Sequence, residues 1–145
     1  MNIVECVKEL VQNALEECGL STLHIDDSSA EPQTFGLAPL GDMLLKESVT
    51  GAVQQRQHTF MLYAAFSGIN DYERLTNSGL LLDLALLLER SAGSFTHTLG
   101  ESSFSGCIDS VTTANGAIHD VPLDESVYGI RYQLQIIVKY TLEEE

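Results

Sequence analysis

The fold is decided by the stretch VQQRQHTFMLYAAF, which runs from Val53 to Phe66. Polar residues fill both alternating faces of its first half, and apolar residues fill both faces of its second half. Because side chains of a β-strand alternate between two faces, this pattern predicts a strand that emerges from an exposed sheet edge into a core. His58 lies in the polar half with no cysteine or histidine beside it, so no ligand role is expected for it.

A long leucine-rich helix is predicted after this strand, over residues 71–90. Asn70 followed by Glu73 is typical of a capping box at its start, and Gly93 predicts its end. Seven leucines between Leu80 and Leu88 leave almost no polar face. Such a helix must be covered on more than one side, although Asp83 is predicted to face solvent.

A first helix is predicted from Ile3 to Cys18, because apolar residues recur there with helical spacing. Asn2 and Glu5 repeat the capping-box pattern, and Gly19 follows as a C-terminal stop. On the apolar face of this helix, Cys18 is predicted to fill space in the core.

The remaining strands are predicted from alternation and from turn residues. They cover residues 20–25, 43–49, 107–113 and 128–142. Thr50-Gly51 predicts a bend and Asn115-Gly116 a hairpin turn, whereas residues 34–41 and 92–105, rich in small and turn-forming residues, are predicted to be irregular. The chain is therefore predicted to be one α+β domain over residues 1–145, with two main helices on one face of a largely antiparallel sheet of about four strands.

The composition is strongly acidic, with 21 Asp and Glu residues against 7 Lys and Arg residues and a net charge of −14. The few basic residues are scattered, so binding to a nucleic-acid backbone is not expected. The three cysteines match no CxxC pattern, the N-terminus does not resemble a signal peptide, and the longest apolar run is too short to span a membrane. These features predict a cytoplasmic, reduced protein without membrane contact.

No catalytic, cofactor-binding or metal-binding residue is predicted. The serines at positions 102, 103 and 105 lack a GxSxG motif, and no glycine-rich phosphate loop is present. The four histidines, at positions 24, 58, 97 and 119, are isolated from one another. Without a nucleophile–base pair or a metal cluster in the pattern, the sequence does not predict an enzyme.

Several features in the last two thirds of the chain resemble one family when they are taken together. They are the Thr50-Gly51 bend, the Gln- and Arg-rich strand that leads into FMLYAAF (60–66), NDYERL (70–75) before the leucine helix, the closing strand YGIRYQLQI (128–136), and Lys139-Tyr140. This arrangement resembles small bacteriophage proteins of Gram-positive prophages that are described as minor capsid proteins and are sometimes mislabelled as chloramphenicol resistance proteins.

The resemblance implies a tail-terminator-like protein of the head–tail junction. Such proteins form rings, commonly hexameric, that close the tail tube and contact other tail or neck proteins. The implied location is the virion, and the host bacterial cytoplasm during assembly. An acidic ring also suits a channel through which DNA passes without specific binding, because like charges lower affinity for the phosphate backbone.

A subunit interface is predicted on the polar part of the long strand and on the leucine helix, since both present surfaces that favour a partner. Its residues are predicted to be Gln54, Gln55, Arg56, Gln57, Leu81, Leu84 and Leu88. Two alternatives remain open. One is a cytoplasmic oligomeric binding or assembly module without catalysis. The other is an enzyme, as the resistance label would suggest, but an acetyltransferase of that kind is expected to carry its histidine in a His-rich motif.

Overall fold

A computed structural model of the chain describes residues 1–18, 23–25, 34–66, 80–114, 118–120 and 130–145. Within these ranges it contains two helices and seven strands. The helices are α1 (Ile3–Glu17) and α2 (Leu80–Glu89). The strands are β1 (Leu23–Ile25), β2 (Thr34–Glu47), β3 (Val53–Phe66), β4 (Ser94–Leu99), β5 (Ser102–Ala114), β6 (Ile118–Asp120) and β7 (Ile130–Glu144).

The strands form one sheet in the order β1-β2-β3-β7-β5-β4, and β6 also pairs with β7. β1 runs parallel to β2, and the other described pairs are antiparallel. The predicted α+β class with a largely antiparallel sheet is therefore confirmed. About four strands was too few, because five strands have six or more residues and two more have three.

β3 lies inside the sheet, contrary to the predicted exposed edge. It pairs with β2 on one side and with β7 along its whole length on the other. Phe60, Leu62 and His58 point into the core, whereas Gln55 on the opposite face is exposed. The polar half of the strand therefore meets solvent through its faces and not through its edge.

β7 follows the predicted alternation at the positions whose side chains the structure describes. Leu134, Ile136, Val138 and Tyr140 are buried on the face that carries the core. Core side chains of both helices belong to the same cluster. The apolar face of the sheet and the apolar faces of the helices therefore form one core.

The predicted start of α1 is confirmed. The Glu5 amide donates to the Asn2 side chain at 3.0 Å, and the Asn2 amide donates to the Glu5 carboxylate at 3.1 Å. This capping box satisfies two amides that the first turn of a helix leaves without partners. Cys6 is buried, and Cys18 packs against the core as predicted.

Two segments that were predicted to be irregular are strands. Residues 34–41 open β2, and residues 92–105 contain β4 and the start of β5. Pro39 is compatible with a strand here because β1 pairs with residues 35–37, and beyond them no described strand pairs with the outer edge of β2. The register of β2 against β3 shifts at Leu40 and at Leu45, where β-bulges leave these two residues without a partner on β3.

Glycines make two tight features of the sheet possible. Gly51, at φ 76°, lies in the turn between β2 and β3 and confirms the bend predicted at Thr50-Gly51. Gly106 lies under the ring of Phe95 on β4, where a Cβ atom would come within 2.3 Å of the ring. Phe95 can therefore be buried only because position 106 has no side chain.

The Asn115-Gly116 turn lies outside the described residues. β5 and β6 both run antiparallel to β7 and are therefore parallel to each other, so these two strands do not pair as a hairpin. The predicted Asn70–Glu73 cap also lies outside the described residues.

The core predicts a contrast between two leucines of α2. We expect Leu84→Ala, at a residue only 1% exposed, to lower the free energy of unfolding by about 2–5 kcal/mol, because it removes buried methyl groups and leaves a cavity. Leu82→Ala, at a residue 58% exposed, should change it by no more than about 0.5 kcal/mol. Urea unfolding at dilute protein concentration measures both, and equal effects would contradict the orientation of α2.

Candidate functional site

The distal part of the β2–β3 hairpin, residues 40–57, carries the largest group of exposed apolar side chains in the part of the chain that the structure describes. We call it the arm. Every residue from position 40 to position 50 is exposed. The exposed large apolar residues of the arm are Leu40, Met43, Leu44, Leu45, Val49 and Val53.

The arm combines two features that favour a protein partner. β2 is the edge of the sheet here, so its outward backbone groups have no neighbouring strand among the described residues. The register places Met43 and Leu44 on opposite faces of the hairpin, so apolar side chains flank the edge on both sides. A group of exposed apolar side chains beside an unpaired strand edge is typical of an interaction site.

A polar cluster lies at the root of the arm and joins three strands. Asp42 of β2 accepts hydrogen bonds from Arg56 Nε to Oδ1 at 2.6 Å and from His58 Nδ1 to Oδ2 at 3.0 Å, both from β3. The Tyr140 hydroxyl of β7 donates to the same carboxylate. We call these four residues the Asp42 clamp.

Cross-strand register explains how these residues meet. Asp42 pairs with His58, and Arg56 pairs with Tyr140 on the next strand. The Asp42 backbone lies at the exposed edge, but its side chain turns toward the core face and is only 24% exposed. The clamp therefore fixes the start of the arm to the centre of the sheet.

The clamp sets the protonation of its members. Burial raises the pKa of Asp42, but hydrogen bonds from Tyr140, Arg56 and His58 together outweigh burial and hold its pKa below the usual range. Burial, and then the hydrogen bond to Asp42, raises the pKa of Tyr140. The hydrogen bond to Asp42 raises the pKa of the Arg56 guanidinium. At neutral pH, Asp42 is therefore ionised and Tyr140 keeps its proton.

His58 has a larger role than its sequence context indicated. It is buried and stacks on Phe60, with ring centroids 4.5 Å apart. Because an ionised carboxylate can only accept, Nδ1 carries the proton, and Nε2 is left buried without a hydrogen-bond partner among the described residues. Its contact with Asp42 makes it part of the clamp.

A pocket of about 290 Å³ opens beside the clamp. Its lining consists of Asp42, Arg56, His58, Tyr140, His97, Phe95, Leu142 and the first residues of α1, Asn2, Ile3 and Val4. Within the described ranges, no group of three His, Cys, Asp or Glu residues could hold a metal ion. The clamp residues mainly bond to one another, an arrangement suited to holding strands together.

The predicted interface residues fall into four groups, of which the fourth is the pair Leu84 and Leu88. Gln54 and Arg56 lie together on the core-side face of the arm, where Arg56 Nη1 donates to Gln54 Oε1 at 3.0 Å. Gln55 and Gln57 lie on the opposite face. The side chain of Leu81 lies outside the described residues.

The prediction for Leu84 and Leu88 is wrong. Both side chains are 1% exposed and belong to the core, so neither can contact another subunit. Leu82 and Leu86 point outward instead, because residues two positions apart on a helix lie on opposite sides. Asp83 is exposed, as predicted.

No protein-family model matches the sequence, and no curated protein does either. Among the described residues, no helix is both long and apolar enough to cross a membrane.

The clamp predicts a pH-dependent contribution of Asp42 to stability. Because the folded-state pKa of Asp42 lies below that of an unfolded aspartate, about 3.9, the stabilisation is complete above that value and is lost as the pH falls through the folded-state pKa. We expect Asp42→Asn to lower the free energy of unfolding by about 1–3 kcal/mol at pH 7.

Urea unfolding of wild type and Asp42→Asn between pH 7 and pH 2 measures this effect, and the difference should shrink in the acid range. Tyr140→Phe is the matched control, because it removes one hydrogen bond to Asp42 and keeps the Asp42 carboxylate. If Asp42→Asn had the same cost at every pH, the ionised carboxylate would not be the stabilising group.

Proposed function

We propose that the chain is a non-catalytic structural subunit that assembles with copies of itself into a ring, at the head–tail junction of a bacteriophage particle. The observation that carries the proposal is the arm. Its apolar side chains and its strand edge face solvent in the single chain, and burial against another protein would stabilise them.

The clamp supports an assembly role because it makes the arm a defined surface. Hydrogen bonds to an ionised carboxylate are among the stronger ones in proteins, and here Asp42 of the arm accepts them from His58 of β3 and Tyr140 of β7, as well as from Arg56 within the arm. A preordered surface loses less conformational entropy on binding than a flexible loop does. The arm is thus suited to repeated, identical contacts.

The place in a phage particle is supported by the resemblance to minor capsid and tail-terminator-like proteins. The net charge of −14 is compatible with a ring around passing DNA, since a negative surface repels the phosphate backbone. Tail or neck proteins above and below the ring would be the further partners. A hexamer is the ring size that the resemblance favours.

The proposal excludes catalysis, because the clamp leaves no nucleophile–base pair. Arg56, His58 and Tyr140 all direct donors at Asp42, and Tyr140 keeps its proton at neutral pH. The free ring nitrogen of His58, Nε2, is buried, and the described lining of the pocket beside it contains no serine, threonine or cysteine that it could activate as a nucleophile.

A second candidate is a cytoplasmic binding or assembly module outside a virion. The pocket beside the clamp favours it, since this pocket combines apolar walls with the buried Nε2 of His58. Both candidates require self-association, and they differ in where the oligomer is found.

Self-association is tested by light scattering over a range of protein concentrations. We expect the wild type to have a mass of several subunits, and Leu45→Asp to dissociate at least tenfold more readily, because a charge would have to be buried in the interface. Leu45 is exposed and unpaired with β3, so this change should leave folding intact. Leu99→Asp, at an exposed leucine of the opposite sheet edge, is the matched control. A monomeric wild type at all concentrations would contradict the proposal.

Location is tested separately by electron microscopy. Labelled antibody against this chain should decorate the neck of purified phage particles from the source organism. Oligomers found only in the particle-free cytoplasm would support the second candidate instead.

A further inference from the structure

A second exposed apolar surface lies between the end of α1 and α2. It is a groove of about 510 Å³ lined by Glu17, Cys18, Asp83, Leu86, Leu87 and Arg90. We call it the helix groove. Leu86 is 44% exposed, and Leu82, one turn away on the same side of α2, is also exposed.

Charged groups surround the apolar floor of the helix groove. Burial raises the pKa of the Cys18 thiol, and the nearby carboxylates of Asp83 and Glu17 raise it further, so both carboxylates act on the groove floor. Arg90 supplies a positive charge on the same lining. None of the described residues forms an ion pair with Asp83 or Arg90.

The arm has the complementary pattern. Lys46 and Glu47 follow its leucines directly, and the register places the two charges on opposite faces of the hairpin. Glu47 accepts a hydrogen bond from Gln54 Nε2 at 3.3 Å. Lys46 also forms no ion pair with another described residue. The two surfaces therefore match in three respects: leucines face leucines, Lys46 can face the carboxylates, and Glu47 can face Arg90.

The two surfaces lie at opposite ends of the molecule. The Met1 ammonium at the start of α1 donates to Thr96 O of β4. The register from Thr96 across β5 and β7 leads to Val53, so the start of α1 lies at the strand end where the arm extends. α1 is 15 residues long, and its far end carries Glu17 of the groove. Its length of about 22 Å separates the two ends. A contact between arm and groove therefore joins two copies.

We propose that the arm of one copy docks into the helix groove of a second copy, with Lys46 against Asp83 and Glu17 and with Glu47 against Arg90. This inference rests on the proposed self-assembly and names the surfaces that carry it. Because different surfaces meet, the contact is heterologous, and repeating it yields a closed ring when the rotation per subunit closes.

The inference is tested by mixing two variants, each of which is defective in one of the two surfaces. Leu45→Asp damages the arm, and Leu86→Asp damages the groove. Each variant alone should lose assembly at least tenfold. An equimolar mixture should recover a one-to-one heterodimer, because one intact arm and one intact groove remain, and light scattering should find the mass of two subunits. Leu99→Asp should assemble like wild type.

Charge reversal provides an independent test that does not place a charge on an apolar contact. Lys46→Glu should weaken assembly several-fold, and the double variant Lys46→Glu with Asp83→Lys should recover most of the loss. Circular dichroism of each variant confirms that it is folded. A double variant as weak as the sum of the single variants would overturn the pairing of Lys46 with Asp83.

The outcomes separate this inference from the proposed function. If wild type assembles and Leu86→Asp assembles equally well, the arm docks elsewhere and the ring proposal stands. If wild type is monomeric throughout, the proposed self-assembly itself fails. Recovery in the mixture is expected only when arm and groove meet.

Discussion

The position of the arm depends on one carboxylate. Asp42 lies on the edge strand, yet its side chain accepts hydrogen bonds from donors on β3 and β7, so one residue ties three strands together. Taking a carboxylate partly out of water is unfavourable unless donors surround it, and here Arg56, His58 and Tyr140 do so. Beyond this point β2 has only β3 as a described neighbour. The clamp therefore holds the register from which the exposed part of the hairpin extends.

The arm leaves apolar side chains outside the core of the single chain. Core side chains of both helices and of the sheet already form one cluster, so the exposed leucines of the arm have no place in it. Leu82 and Leu86 on α2 are left outside the core in the same way. At a net charge of −14, copies of the chain repel one another, so the proposed interface would have to overcome this repulsion with apolar burial and with paired charges. Arm and helix groove offer both.

Elements with strong local signals could be predicted from the sequence. The Asn2–Glu5 capping box and the alternation in β7 need only neighbouring residues, and the structure confirms both. β4 and the first half of β2 could not be predicted, because their strand conformation depends on sheet neighbours. Phe95 needs Gly106 beneath it, and Pro39 needs an edge position. The clamp joins Asp42 to Tyr140, 98 positions away, and only strand register brings them together. The prediction that Leu84 and Leu88 face another subunit was wrong for a related reason. A helix rich in leucine on all sides does not reveal which side faces the core.

Amide hydrogen exchange of the wild-type protein, measured at low and at high concentration, tests the central claim most directly. If the clamped arm of one copy docks into the helix groove of another, residues 40–47 and residues 82–90 should become protected together as concentration rises. β4, the edge strand at the other side of the sheet, should exchange at the same rate in both samples. Association with unchanged exchange in the arm, or with new protection confined to β4, would contradict the account.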